Sequence, residues 1–169
     1  MMVPSTNFYG TIFILLSCIK KFSFRDNGRI IMWKLICKDE KKLLILKISD
    51  KIDLNELSDI LKTLYIDNRL KSLTYNRFTD LTELKNIDMN SGIASFHFNE
   101  YRFLIKPDKA IKISLFIPQK YIVGFSYLYK SMSGNDNFKL KICNSLDDCA
   151  KYLSIVKSEL QNAIRQLSL

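Results

Sequence analysis

A serine at the head of an apolar segment is the residue whose type and spacing best suit chemistry. Asp88-Met89-Asn90-Ser91-Gly92 forms a polar turn ahead of Ala94, Phe98, Tyr101 and Ile105, which share one helical face. A hydroxyl at a helix N-terminus is exposed and close to N–H groups that have no intrahelical partner. Those donors tolerate a phosphate. Phosphorylation there would add a charge of about −1.5 to −2, enough to repel an acidic or apolar docking surface. Ser91 is therefore the phosphorylation candidate, and Asp88, Asn90 and Gly92 are the partner-binding candidates around it. A plain N-cap, which contributes about 1 kcal/mol, accounts for the same serine.

The other reactive residue types form no constellation. His97 is the one histidine, on an apolar segment. A general acid or base needs a partner within hydrogen-bond reach, and Asn99 and Glu100 are too near in sequence to face it squarely. Four cysteines, Cys18, Cys37, Cys143 and Cys149, include no CxxC pair, so no zinc-site spacing arises. Five glycines build neither GxGxxG nor a P-loop, and no GxSxG elbow occurs. The acidic residues fall at helix starts and turns, where capping explains them. The expectation is a protein that is not an enzyme and needs no metal or cofactor.

At 169 residues, 47% hydrophobic and 25% charged, the chain fits one globular domain with extensions. A net charge of +9 and a pI of about 9.4 would suit an acidic partner. The lysines are scattered through the elements, however, and no basic recognition helix or RNA-binding aromatic signature is present, so nucleic acid is not the expected partner. Cys37 and Cys143 fall in apparent strands, where a free thiol acts as a small hydrophobe. A reduced, cytoplasmic compartment is the natural reading.

Residues 1–31 read differently from the rest. The apolar run from Thr11 to Ile19 is far short of the ~20 residues that span a bilayer as a helix, and no positive charge precedes it as a signal peptide requires. Leu15-Leu16-Ser17-Cys18 resembles a lipoprotein cleavage box, which makes a lipid anchor at Cys18 the alternative localisation. Lys20, Lys21, Arg25 and Arg29 with Phe22 and Phe24 could touch an anionic membrane through residues 11–29; a solvated arm is preferred. Three readings of residues 1–31 stand: an arm before a true start at Met32, a lipidated leader, or an extra strand or helix packed on the domain.

From Trp33 the pattern sharpens. Trp33, Leu35 and Cys37 alternate with polar neighbours, Asp39 to Lys42 makes a turn, and Leu43 to Ile48 is a second strand, giving an antiparallel hairpin. Asp53 and Glu56 form a capping box ahead of Leu54, Leu57, Ile60, Leu61 and Leu64, a helix ending near Tyr65. Leu70 to Phe78 is a strand, and Thr79 to Asn90 a polar crossing anchored by Leu81, Leu84 and Ile87. The segment 94–105 reads as a helix, although Phe96, Phe98, Tyr101, Phe103 and Ile105 also alternate as a strand would. Ala110 to Ile117 is a strand, Pro118 opens a helix through Met132, and Phe138 to Cys143 is the fifth strand. Ser145 and Asp148 cap a last helix on which Leu146, Cys149, Leu153, Val156, Leu160, Ala163 and Leu167 keep a heptad-like spacing. The sum is an α/β fold: a mixed five-stranded sheet, an N-terminal β-hairpin followed by βα repeats, with helices packed against it. The domain spans 32–155, and 156–169 is a helical extension available for self-association.

This layout resembles the STAS domains, the family of anti-sigma-factor antagonists and sulfate-transporter tails, in their SpoIIAA-like branch. Trp33 to Ile48 is similar to the opening hairpin, Asp53-Leu-Asn-Glu-Leu57 to the first helix, and Ala110-Ile-Lys-Ile-Ser-Leu-Phe116 to the fourth strand. Lys141-Ile-Cys-Asn-Ser-Leu-Asp-Asp-Cys-Ala150 is similar to the closing strand and helix. The resemblance implies a non-enzymatic protein-binding module in regulation, with a protein partner. In the antagonist branch a serine within Asp-Ser-Ser-Gly, at the start of the second helix, is phosphorylated. Ser91-Gly92-Ile93 fits that pattern; Met89 does not, and Asp88 stands one residue too far away. The alternative function is a carrier whose aromatics, Phe96, Phe98, Tyr101, Phe125, Tyr127 and Tyr129, enclose a small apolar ligand or lipid.

Overall fold

The computed structural model describes residues 19–26, 29–53, 56, 60, 62–64, 71, 73–88, 107–117 and 137–168. Among the described residues, seven strands order the chain: β1 (Ile19–Asp26), β2 (Arg29–Lys38), β3 (Leu43–Asp53), β4 (Asn76–Asp80), β5 (Leu84–Asp88), β6 (Ile111–Phe116) and β7 (Phe138–Cys143). Two helices, α1 (Leu146–Leu153) and α2 (Lys157–Ser168), close it. The spatial order is β1-β2-β3-β4-β6-β7, with β5 pairing β3 off that path. β1, β2 and β3 are antiparallel neighbours, and β3, β4, β6 and β7 run parallel. The sheet is therefore mixed, as expected of a hairpin followed by βα repeats.

The apolar run of β3, interrupted by Lys47 alone between Leu43 and Ile48, explains its central place. Leu43 to Ile48 are all buried, the mark of a strand covered on both faces. Leu44, Leu46 and Ile48 pack with Trp33, Leu35, Ile113 and Leu115, and with Ile60 and Leu64 beyond β3. Leu43 and Ile45 face the other way, toward Ile36, Phe78, Cys143 and the inner residues of both helices. Helices thus cover the sheet from two sides. The expected turn at Asp39 to Lys42 is a single 3-10 turn, with Lys42 in the left-handed region at φ 47°.

β4 and β5 occupy one lane beside β3. β4 pairs Leu43 to Lys47 in parallel, and β5 pairs Asp50 to Asp53, with a register shift between Asp50 and Lys51. A tight turn joins them, the Leu84 N–H donating to the Leu81 carbonyl at 3.1 Å.

Several expectations need correction. The strand assigned to Leu70–Phe78 begins only at Asn76; Leu73 and Thr74 lie in a turn closed by the Tyr75 N–H on the Lys71 carbonyl at 2.8 Å. Pairing starts where the Asn76 N–H reaches the Lys42 carbonyl at 2.9 Å. The polar crossing from Thr79 contains β5, held by the buried anchors Leu81 and Leu84. The sheet carries two strands more than five, β1 and β5. Within the stretch read as an extension, Ile19–Asp26 form β1, paired antiparallel with β2 from Arg29 onward.

The last helix is also two helices. Ser154 adopts φ 61°; its N–H bonds the Lys151 carbonyl, and the Ile155 N–H bonds the Ala150 carbonyl. That is a Schellman stop, made here without glycine. α2 then turns back, and Leu160, Ala163 and Leu167 enter the same core cluster as Cys149, Ala150 and Leu153. The heptad-like spacing thus runs over two helices, and Leu160, Ala163 and Leu167 of the second are buried in the core. The helices expected over 94–105 and 118–132 lie outside the described residues.

Candidate functional site

The carboxyl end of the parallel strands gathers the polar side chains that the core does not account for. In open α/β sheets ligands and partners sit at that end. β3 ends at Asp53, whose Oδ1 accepts from the Glu56 N–H at 2.8 Å while Glu56 Oε2 accepts from the Asp53 N–H at 2.9 Å. This is the expected capping box, and it opens the helical residues that follow. Asp88, the last residue of β5, stands in register with Asp53. The chain leaves β5 at this end, toward Met89. Asn90, Ser91 and Gly92 lie outside the described residues, as do His97, Cys18 and the six aromatics of the carrier reading.

A cluster of charges underlies this end. Lys47, buried to 5% exposure, donates to Glu83 Oε1 at 2.6 Å. That hydrogen bond holds the Glu83 carboxyl below its usual range, against a smaller opposing effect of burial, and Ser49 and Lys34 add to the lowering. Asp80, also buried, accepts from both the N–H and the hydroxyl of Thr82, at 3.0 and 2.7 Å. Asp50 pairs with Lys85 at 3.1 Å. Sequence reasoning missed Lys47 and Glu83. The one available signal was a lysine inside an otherwise apolar strand.

A second cluster lies at the opposite end of the sheet. Asp39 accepts from Cys37 Sγ at 2.9 Å, Tyr75 Oη at 3.0 Å and Lys71 Nζ at 3.2 Å. Those donors, Cys37 first and then Lys71 and Tyr75, bring its carboxyl down to about 2. Burial first, then the Asp39 carboxylate, pushes the Cys37 thiol up to about 12. Burial likewise raises Cys149 to about 12, while Ser114 Oγ lies 3.3 Å from Cys143 Sγ. A thiol at that value is protonated at neutral pH and is a poor nucleophile. The Asp39 cluster ties the segment before β4 to the β2–β3 turn, and it holds a thiol neutral instead of activating it.

Beside that turn a cleft of about 220 Å³ separates Lys38 and Lys41 from α2. It is bridged by Lys41 to Glu159 at 3.1 Å and by Lys38 to Gln166 at 3.1 Å. Ligand pockets of small molecules start at about 300 Å³. Among the described residues no group of three or more His, Cys, Asp or Glu is arranged to hold a metal ion. No helix among them is long and apolar enough to cross a membrane.

No family model matches the chain, and no curated protein matches it. Among solved structures, the chain is similar to the crystal structure of an uncharacterized protein from the DUF3478 family, with a SpoIIAA-like fold, from Shewanella loihica PV-4. The two share 12% identity over 89% of this chain and 99% of that one, at a TM-score of 0.43. The α/β class itself rests on the strand order and pairing of this chain.

Proposed function

We propose that this chain is a non-enzymatic, STAS-like protein-binding module with a regulatory role in a bacterial cytoplasm. Its docking edge is the stretch from Asp88 to Gly92, and phosphorylation of Ser91 switches it. The observation that carries the reading is the register of β5. By pairing with the end of β3 it brings Asp88 level with Asp53, at the sheet end where a capping box starts a helix. That is the sheet end at which open α/β folds bind their ligands, and the proposal extends it to a protein partner. A phosphoryl group at Ser91 would add about two negative charges to an edge that already holds Asp53 and Asp88, and an acidic or apolar partner surface would be repelled.

The test is a comparison of wild type, Ser91→Ala and Ser91→Asp as baits in an extract of the native cell, with the phosphorylation state of Ser91 read by mass spectrometry. A protein held by wild type and Ser91→Ala, lost with Ser91→Asp, and a phosphopeptide covering Ser91 are the expected results. Equal capture by all three together with an unmodified Ser91 would remove the switch.

A further inference from the structure

We propose that Lys47 and Glu83 form a latch that positions β5, and with it the edge beginning at Asp88; its relevance to docking rests on the reading of that edge given above. The latch sits where the lane beside β3 changes from β4 to β5. Lys47 is the last residue of β3 that pairs with β4, opposite Asp80. Three residues later Asp50 begins the pairing with β5. There the backbone is irregular: Asp50 stands at φ 67°, a left-handed conformation that is unfavourable for a residue other than glycine. Such a conformation persists where the surroundings impose it. The imposing contact is the Asp50 N–H on the Glu83 carbonyl, at 3.0 Å.

Glu83 therefore acts twice. Its carbonyl holds the irregular residue of β3, and its carboxylate takes the ammonium of Lys47 at 2.6 Å. The electrostatics of the sheet call for that carboxylate. Lys47 lies directly opposite Lys34 on β2, and like charges facing each other across a strand pair repel. Asp80 stands in register with Lys47, and its Oδ1 accepts from the Thr82 N–H and hydroxyl. Those two bonds shape the turn from Leu81 to Leu84 so that Glu83 comes over the lysines. Among the described strands β5 pairs with β3 alone, so its attachment depends on this junction more than the attachment of β4, which is gripped by β3 and β6.

The test is amide hydrogen exchange, read by mass spectrometry on the full chain without a partner. Glu83→Gln keeps the shape of the turn and removes the charge, at a side chain that is 56% exposed. Exchange of the amides of 84–88 is expected to rise on the order of tenfold, the difference between a charged and a neutral hydrogen bond, while 43–47 and 76–80 stay as protected as in wild type. Wild type in ~0.5 M salt should move in the same direction, since screening reaches a half-exposed pair; this arm needs no variant to fold. Unchanged exchange at 84–88, or a rise spread evenly over all strands, overturns the latch. The readout involves no partner, so the latch and the Ser91 switch stand or fall separately.

Discussion

Leu160→Ala tests whether α2 is a core element or an appendage. Leu160 is 1% exposed and belongs to the cluster that holds Ile45, Phe78, Leu153 and Ala163. Truncating a buried leucine removes its transfer free energy and leaves a hole, together about 2–5 kcal/mol. The cleft of about 220 Å³ borders Leu160, so solvent can enter part of the space, and the loss belongs at the lower end, about 2–3 kcal/mol. For a chain of this size each kcal/mol lowers the melting midpoint by about 2–4 °C, so the midpoint should fall by roughly 4–12 °C. Val156, on the same stretch but 59% exposed, is the control; Val156→Ala should stay within about 0.5 kcal/mol of wild type. Thermal melts followed by circular dichroism at several protein concentrations decide the matter. A seam between copies would make the midpoint of wild type rise with concentration, whereas a core helix gives a concentration-independent midpoint that drops only with Leu160→Ala. Equal melting of the two variants would refute the packing argument.

Removing one arm of the capping box, as in Glu56→Ala, should destabilise the chain by about 1 kcal/mol in urea unfolding, with a smaller effect for Glu56→Gln, which keeps the acceptor. The acid limb of stability should carry a trace of Asp39. Its carboxyl is held at about 2, below the ordinary 3.8, so its contribution is full above about pH 4 and is lost as the pH falls toward 2. The side chain is 52% exposed, which keeps the effect below about 1 kcal/mol. Asp39→Asn should flatten that part of the pH–stability curve, and a curve of unchanged slope would contradict the assignment.

What could be read in advance was what is local. The capping pairs Asp53/Glu56 and Ser145/Asp148 are three residues apart, and both form as the spacing predicts. The apolar runs of β3 and β6 announce buried strands by composition alone. The stop at Ser154 was invisible because the left-handed position is filled by serine in place of the usual glycine, and the apolar spacing continues across it by coincidence. β1 did have a signal: Asp26 and Arg29 are paired, and the two residues between them are Asn27-Gly28, the dipeptide of tight hairpins. The apolar run before it drew attention to membranes instead. Lys47 and Glu83 are 36 positions apart in the sequence, and only the parallel register of β3 and β4 brings them together. Asp88 was legible as the end of an element, whereas its partnership with Asp53 depends on β5, which the polar composition of 79–90 hides.

Six of the acids in the described residues stand at the joints of the fold. Asp39, Asp50, Glu83, Asp147, Asp148 and Glu159 each hold a lysine. Asp39 sits in the β2–β3 turn, Asp50 and Glu83 at the junction of β4 and β5, Asp147 and Asp148 in the first turn of α1, and Glu159 in that of α2. Each pair joins a turn or a helix start to an element that follows or lies beside it. Of these acids, Asp39 and Glu83 are held below the usual carboxylate range by the side-chain hydrogen bonds they accept, from Cys37 first on Asp39 and from Lys47 on Glu83, which lowers their basicity. With 17 acidic residues against 26 basic ones, a net charge of +9, these one-to-one pairs leave the positive excess unchanged. On the function proposed above, that excess would steer an acidic partner toward the chain, and phosphorylation of Ser91 would act against the attraction. Charge on this molecule thus fixes the turns first and biases association second.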